Sequence, residues 1–163
     1  MEKYVLGVTG SMGCGKSYAC KKLVEIGKSR GIEASHIDFD LVRRTNGRPY
    51  TFLDDKVYES KGLVLVEWAL LVEDEILDMV DRNVLLVTAS RDSQIRRLTG
   101  GDLPMEEVIR RIDSQLTNEQ KKAYILEYQS QKDQGEFYSF DTTHNPQDNE
   151  YVDLFNKIVG GRK

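Results

Sequence analysis

The sequence predicts a three-layer α/β/α architecture built on a five-stranded parallel sheet. Three observations carry this expectation. Short apolar runs alternate with helical patterns along the chain, the runs at 63–66 and 84–88 are apolar throughout, and a glycine-rich loop joins the first run to the first helix. Strands that lack an alternating polar face are covered on both sides, which is the usual condition of parallel strands with helical crossovers.

Residues 4–9, Tyr-Val-Leu-Gly-Val-Thr, read as the first strand, and the next helix sets Ala19, Leu23 and Ile26 on one face before Gly31 stops it. Residues 34–39, 63–66 and 84–88 read as the second to fourth strands. An arginine-rich helix follows near 92–99. A second helix near 104–116 carries Met105, Val108, Ile109, Ile112 and Leu116 at helical spacing, after Asp102 and Pro104. Thr117 and Gln120 have the spacing of a capping box and open a further helix. Residues 137–140 give the fifth strand, and Tyr151, Leu154, Phe155 and Ile158 mark a closing helix. The stretch 46–61 is expected to be irregular. No repeat or composition shift divides the 163 residues, so 1–163 reads as a single domain, with 39% hydrophobic residues to fill its core.

A net charge of −4 offers no large positive field, which disfavours duplex DNA as a partner. Cys14 and Cys20 flank a loop-helix junction where a structural bridge is not expected. Reduced thiols, no leader-like apolar run at the start and no stretch long enough to span a bilayer together point to the cytoplasm and to no membrane partner.

Gly10-Ser11-Met12-Gly13-Cys14-Gly15-Lys16-Ser17 satisfies G-x-x-x-x-G-K-[ST] between a strand and a helix, the context that a phosphate-binding P-loop requires. Glycines let the backbone N–H groups turn inward around phosphate, Lys16 can reach the β- and γ-oxygens, and the Ser17 hydroxyl is a magnesium ligand. Tyr18 follows at the start of the helix. The expected ligands are therefore ATP and Mg2+, and the expected fold is a P-loop NTPase of the nucleoside-monophosphate-kinase type with sheet order 2-3-1-4-5. A helix N-terminus would lower the Cys14 thiol pKa. The plainer reading is that any small side chain serves at that position.

His36-Ile37-Asp38-Phe39-Asp40 closes the second strand and places two carboxylates at the carboxyl edge of the sheet, where open α/β folds bind ligands. Asp38 is the candidate base for an acceptor hydroxyl. Asp40 is a candidate for holding a magnesium-bound water or for capping the next helix, and Glu67, ending the third strand, is a further candidate magnesium residue.

Through GVTGSMGCGKS, HIDFD, ALLVE at 69–73 and SQIRRL at 93–98, in that order, the chain resembles the dephospho-coenzyme A kinase family. The resemblance implies ATP as donor and Asp38, the first carboxylate of D-x-D, as general base. It also implies that Arg97 belongs to a phosphate-contacting lid spanning about 91–116, and that the loop 141–146, with His144 and Asn145, contacts adenine. The segment between Asp38 and Ala69 is much shorter than the cap that family builds there, and a lid arginine is replaced around Gly100 and Gly101. An open acceptor side with Arg44 and Arg48, beside Arg43, is left for an acceptor phosphate.

These readings converge on transfer of the ATP γ-phosphate to a hydroxyl of a nucleotide-like small molecule. The alternatives are a nucleoside or deoxynucleoside monophosphate kinase, a kinase of a hydroxymethylated base in nucleotides or DNA, and a nucleotide-binding switch without transfer. Among other features, the acidic run Glu73, Asp74, Glu75, Asp78 and Asp81 reads as a solvated helix face. At least two of Arg91, Arg96, Arg97, Arg110 and Arg111 are expected to face the nucleotide, and Tyr50, Phe52 and Tyr58 either stack on an acceptor or anchor their loop.

Overall fold

The computed structural model describes residues 1–160 and 162. Its strands are β1 (Tyr4–Thr9), β2 (Ala34–Asp38), β3 (Leu63–Glu67), β4 (Val84–Thr88) and β5 (Phe137–Asp141), joined in one sheet of order β2-β3-β1-β4-β5. Every pairing is parallel, as the apolar runs predicted. Strands β3 and β4, apolar up to their last residues Glu67 and Thr88, flank β1 in the middle, where both faces are covered, and the more polar β2 and β5 take the edges.

On one face, α1 (Lys16–Ser29) and α7 (Asp148–Val159) bury Ala19, Leu23, Leu154 and Phe155 against Leu6, Val8, Leu65 and Val87. On the other, α3 (Pro49–Glu59), the segment 68–80 and α6 (Asn118–Lys132) bury Leu53, Trp68, Leu71 and Ile125 against Val5, Val64 and Val66. The segment 68–80 can approach β1 closely because Gly7 has no side chain. A Cβ there would lie 2.8 Å from Leu71 and 2.8 Å from Val80. Helices α4 (Arg91–Leu98) and α5 (Met105–Asp113) stand beside the carboxyl end of β4. The capping box of Thr117 and Gln120 opens α6 as expected. No helix among the described residues is long and apolar enough to cross a membrane.

Two expectations are corrected. The stretch 46–61 is not irregular: α2 (Phe39–Thr45) is followed at once by α3, which has Pro49 in its first turn. Its apolar residues do not share one stripe, since Leu53 is fully buried while Tyr58 is 85% exposed, and this hides the helical period. The acidic run 73–81 is not a helix face. It forms turns and one short 3-10 segment, Leu77–Val80, with Glu75, Asp81 and Arg82 in left-handed conformation (φ 57°, 53° and 61°). Its carboxylates are engaged individually: Glu73 with Lys121, Asp74 with Arg43 and the Trp68 indole, Asp78 with Arg82 and Tyr128.

Candidate active site

The loop from Gly10 to Ser17 runs from the end of β1 into α1. Gly10 has φ +149°, and a Cβ there would meet the Val87 carbonyl oxygen at 2.1 Å, so the loop can pass β4 only with glycine. Gly15 is left-handed (φ 88°) and precedes the first turn of α1, which aims the helix N-terminus into the loop. Lys16 is buried, its Nζ 3.3 Å from the Ser11 carbonyl. Three buried or half-buried polar side chains brace the loop from distant elements. Gln94 Nε2 donates to the Met12 carbonyl (3.0 Å), Gln115 Oε1 accepts from the Met12 amide (3.2 Å), and the Thr142 hydroxyl donates to the Cys14 carbonyl (2.7 Å). None of these three is signalled by the sequence, because each is an ordinary polar residue whose partner is a backbone atom 82 to 128 residues away. Cys14 is fully buried, and burial pushes its thiol pKa up despite Lys16 and Arg97 nearby, against the lowering expected from the helix terminus alone.

Parallel register explains how the carboxylates converge. Asp38 is the register partner of Glu67 across β2 and β3, and Glu67 is that of Val8 on β1, so both acids emerge beside the loop. Carboxylate oxygens of Asp38, Asp40 and Glu67 lie within 4.8 Å of one another. Ser17 Oγ donates to Glu67 Oε2 at 2.6 Å, and His36 Nε2 lies 2.8 Å from Glu67 Oε1. Burial alone would raise the Glu67 carboxyl, but the hydrogen bonds from His36 and Ser17 outweigh it and hold the group below the usual glutamate value. Asp40 is pushed up by burial, only partly offset by the Ala69 amide that its two oxygens accept (3.1 and 3.3 Å). One oxygen of Asp38 accepts from the Leu41 amide (3.1 Å) and caps α2, so the capping anticipated for Asp40 falls to Asp38. With Ser17, these acids offer only hard oxygen donors, a set that suits magnesium.

Lys121, on α6, was not signalled either. It is fully buried and donates to the Ala69 carbonyl (2.8 Å) and to Glu73 (3.2 Å), and burial lowers its pKa. The Ala69 peptide is thus gripped at its N–H by Asp40 and at its carbonyl by Lys121 and Thr9.

A cavity of about 370 Å³ opens on the other side of the loop, lined by Gly15, Tyr18, Arg97, Thr142, Asn145, Pro146 and Tyr151. Arg97 donates to the Gly13 carbonyl (3.0 Å), to the Thr142 hydroxyl (3.0 Å) and carbonyl, and to Asn145 Oδ1 (3.1 Å). Asn145 takes a left-handed turn (φ 52°) to meet it, and His144 is exposed in the same loop, outside the lining. Tyr18 stands edge-on to Tyr151 with centroids 5.7 Å apart. Of the five arginines, at least two of them expected to face the nucleotide, Arg97 lines this cavity, Arg96 donates to Ser93 Oγ (3.2 Å), Arg91 pairs with Asp113, and Arg110 and Arg111 share Glu107. Arg44, on α2, and Arg48, just ahead of α3, are exposed, and Tyr50 packs against the buried Phe39 and Trp68.

By sequence the chain matches no protein-family model and no curated relative. Solved structures do match. The protein TT1252 from Thermus thermophilus superposes with TM-score 0.70 at 19% identity, covering 98% of this chain and 100% of the other. A shikimate kinase from Acinetobacter baumannii in complex with shikimate gives TM-score 0.56 at 16% identity over 99% of this chain and 95% of the other. The chain shares its fold with both, a five-stranded parallel sheet of order 2-3-1-4-5 between helices. An uncharacterized protein from Eubacterium ventriosum shares it, with TM-score 0.58 at 13% identity over 98% of this chain and 99% of the other. At these identities the likeness concerns the fold.

Proposed function

We propose that the protein transfers the γ-phosphoryl group of ATP to a hydroxyl of a nucleotide-like small molecule, the chemistry of the dephospho-coenzyme A kinases that its motifs resemble. The observation that carries this reading is the convergence of Asp38, Asp40 and Glu67 within 4.8 Å beside Ser17, at the mouth of a phosphate cradle. Backbone N–H groups of the loop take the β-phosphate, and Lys16 exchanges the Ser11 carbonyl for β- and γ-oxygens. Ser17, Asp40 and Glu67 would hold magnesium, whose charge would offset that of the phosphate oxygens. The adenine enters the cavity between Tyr18 and the 142–146 loop, where Arg97 ties that loop to the cradle.

Asp38 orients the acceptor hydroxyl and accepts its proton. The acceptor oxygen bonds to the γ-phosphorus, the bond from that phosphorus to the β,γ-bridging oxygen breaks, and ADP leaves. An acceptor phosphate is met by Arg44 and Arg48, which are carried by α2 and the start of α3. The test follows label from γ-labelled ATP into dephospho-coenzyme A, a panel of nucleosides and nucleotides, and single- and double-stranded DNA with hydroxymethylated bases. Transfer to a nucleotide-like small molecule is expected. Incorporation into DNA alone would overturn the small acceptor, and slow hydrolysis indifferent to every acceptor would make the protein a switch.

A further inference from the structure

Glu67 also belongs to a second cluster, whose other two members the phosphate chemistry leaves unused. Cys20 sits on the buried face of α1, one turn beyond Ser17, and His36 sits on β2 two residues before Asp38. The thiol sulfur, an imidazole nitrogen and a Glu67 oxygen lie within 4.8 Å of one another. Cys20 is fully buried, while the side chains of His36 and Glu67 are 18% and 6% exposed. Sulfur, imidazole nitrogen and carboxylate oxygen together are the donors that zinc-class ions select, whereas magnesium prefers oxygen alone.

We propose that Cys20, His36 and Glu67 form a binding site for a divalent transition ion of the zinc class, distinct from the magnesium position but sharing Glu67 with it. Bond lengths of about 2.0–2.3 Å set neighbouring ligand atoms on tetrahedral zinc roughly 3.3–3.6 Å apart, so closing the cluster needs shifts on the order of 1 Å. The thiol must release its proton as the metal binds. Burial and the charge of Glu67 oppose a bare thiolate there, and the bound cation supplies the compensation.

Ser17 donates to Glu67 Oε2 at 2.6 Å while His36 meets Oε1, so an ion bound on the His36 side engages the same carboxylate that faces the magnesium position. If the proposed kinase reading holds, zinc therefore inhibits in competition with magnesium. Binding itself requires no such reading.

Cobalt(II) is the probe, because thiolate coordination to it gives a near-ultraviolet charge-transfer band and tetrahedral geometry gives strong visible bands. Titration of the full-length, reduced protein without nucleotide should produce both at one equivalent, and zinc should displace them. Cys20→Ala should abolish the charge-transfer band, Cys14→Ala should keep it, and His36→Gln should weaken cobalt affinity by at least about tenfold. No band in the wild type, a band that survives Cys20→Ala, or one lost only in Cys14→Ala would overturn the site. Should Cys20→Ala fail to fold, unchanged cobalt affinity in His36→Gln would overturn it as well. Since these spectra are read without ATP, a failure of the metal site and a failure of the kinase reading are separate results.

Discussion

Lys16 is buried, with its Nζ 3.3 Å from the Ser11 carbonyl inside the loop that the proposed function assigns to phosphate. Lys16→Ala should reduce magnesium-ATP affinity by on the order of 100-fold or more while leaving the fold intact, measured by calorimetry and circular dichroism; wild-type affinity would remove the phosphate-cradle reading. Asp38 makes no hydrogen bond to the cradle among the described residues and caps α2 through one oxygen. Asp38→Asn keeps an acceptor for that cap, so nucleotide affinity should hold within about threefold while turnover falls by about 10²–10⁴. An Asn variant with wild-type turnover would exclude Asp38 as base. Glu67 adds a pH signature. Its carboxyl is held below the usual value of 4.5, so the stability it contributes is complete above that value and is lost as pH falls through the lower folded value. Asp40, raised by burial, works in the opposite sense, so the signature has to come from a single substitution. The stability gap between wild type and Glu67→Gln should be widest near neutrality and close as pH drops below about 4.5, in urea titrations at a series of pH values. A gap independent of pH would show that the Ser17 and His36 contacts do not favour the charged form. The cradle and the strand-end acids were legible because a contiguous motif and strand ends are local features. The partners of Glu67 were not, since pairing His36 with it depends on the register of two strands.

At the scale of elements, legibility followed the clarity of the apolar period. The covered strands and the α6 capping box were readable, whereas α2 and α3 were hidden by apolar residues spread around their surface, and α5 stops at Asp113 although its pattern runs on to Leu116. Lys121 lies on α6, whose amphipathic signal is weak, and nothing in the sequence distinguishes it from Lys122 beside it. Its side chain nevertheless closes the layer between α6 and the exit of β3, through the Ala69 carbonyl and Glu73. Removing it leaves a cavity and a half-buried carboxylate without its cation, so Lys121→Ala should cost about 3 kcal/mol. Lys121→Met keeps most of the buried stem, and Glu73, whose side chain is 21% exposed, can recover water. That variant should cost only about 1 kcal/mol. Equal losses in the two variants, from urea unfolding, would mean that the charge rather than the packing holds this layer.

Across the whole molecule, the proposed function puts the donor at the β4–β5 end of the sheet and the acceptor at the β2–β3 end, and the two proposed sides are tied together unequally. On the donor side, Arg97 from α4 joins the Gly13 carbonyl, Thr142 and Asn145, and Thr142 in turn holds the Cys14 carbonyl. Three segments distant in sequence, 10–18, 94–98 and 142–146, thereby share one hydrogen-bonded junction. The acceptor side, α2 and α3, meets the carboxylates through Asp38 and Asp40 and meets the core through Phe39 and Leu53. It has no hydrogen bond to that junction among the described residues. Magnesium-ATP filling the cradle and the Tyr18 cavity should consequently order the three donor segments as one unit. Amide hydrogen exchange is expected to slow in all three, by about tenfold or more at saturation, while residues 46–61 change little until an acceptor is added. Arg97→Ala cuts the junction without touching the magnesium carboxylates, so nucleotide should then still protect 10–18 while protection of 142–146 falls away. If ATP protects 142–146 equally in that variant, the loop closes on the base directly and Arg97 does not couple the segments. If 46–61 is protected by ATP alone, the acceptor side is not independent of the donor side, and closure around the donor precedes acceptor binding.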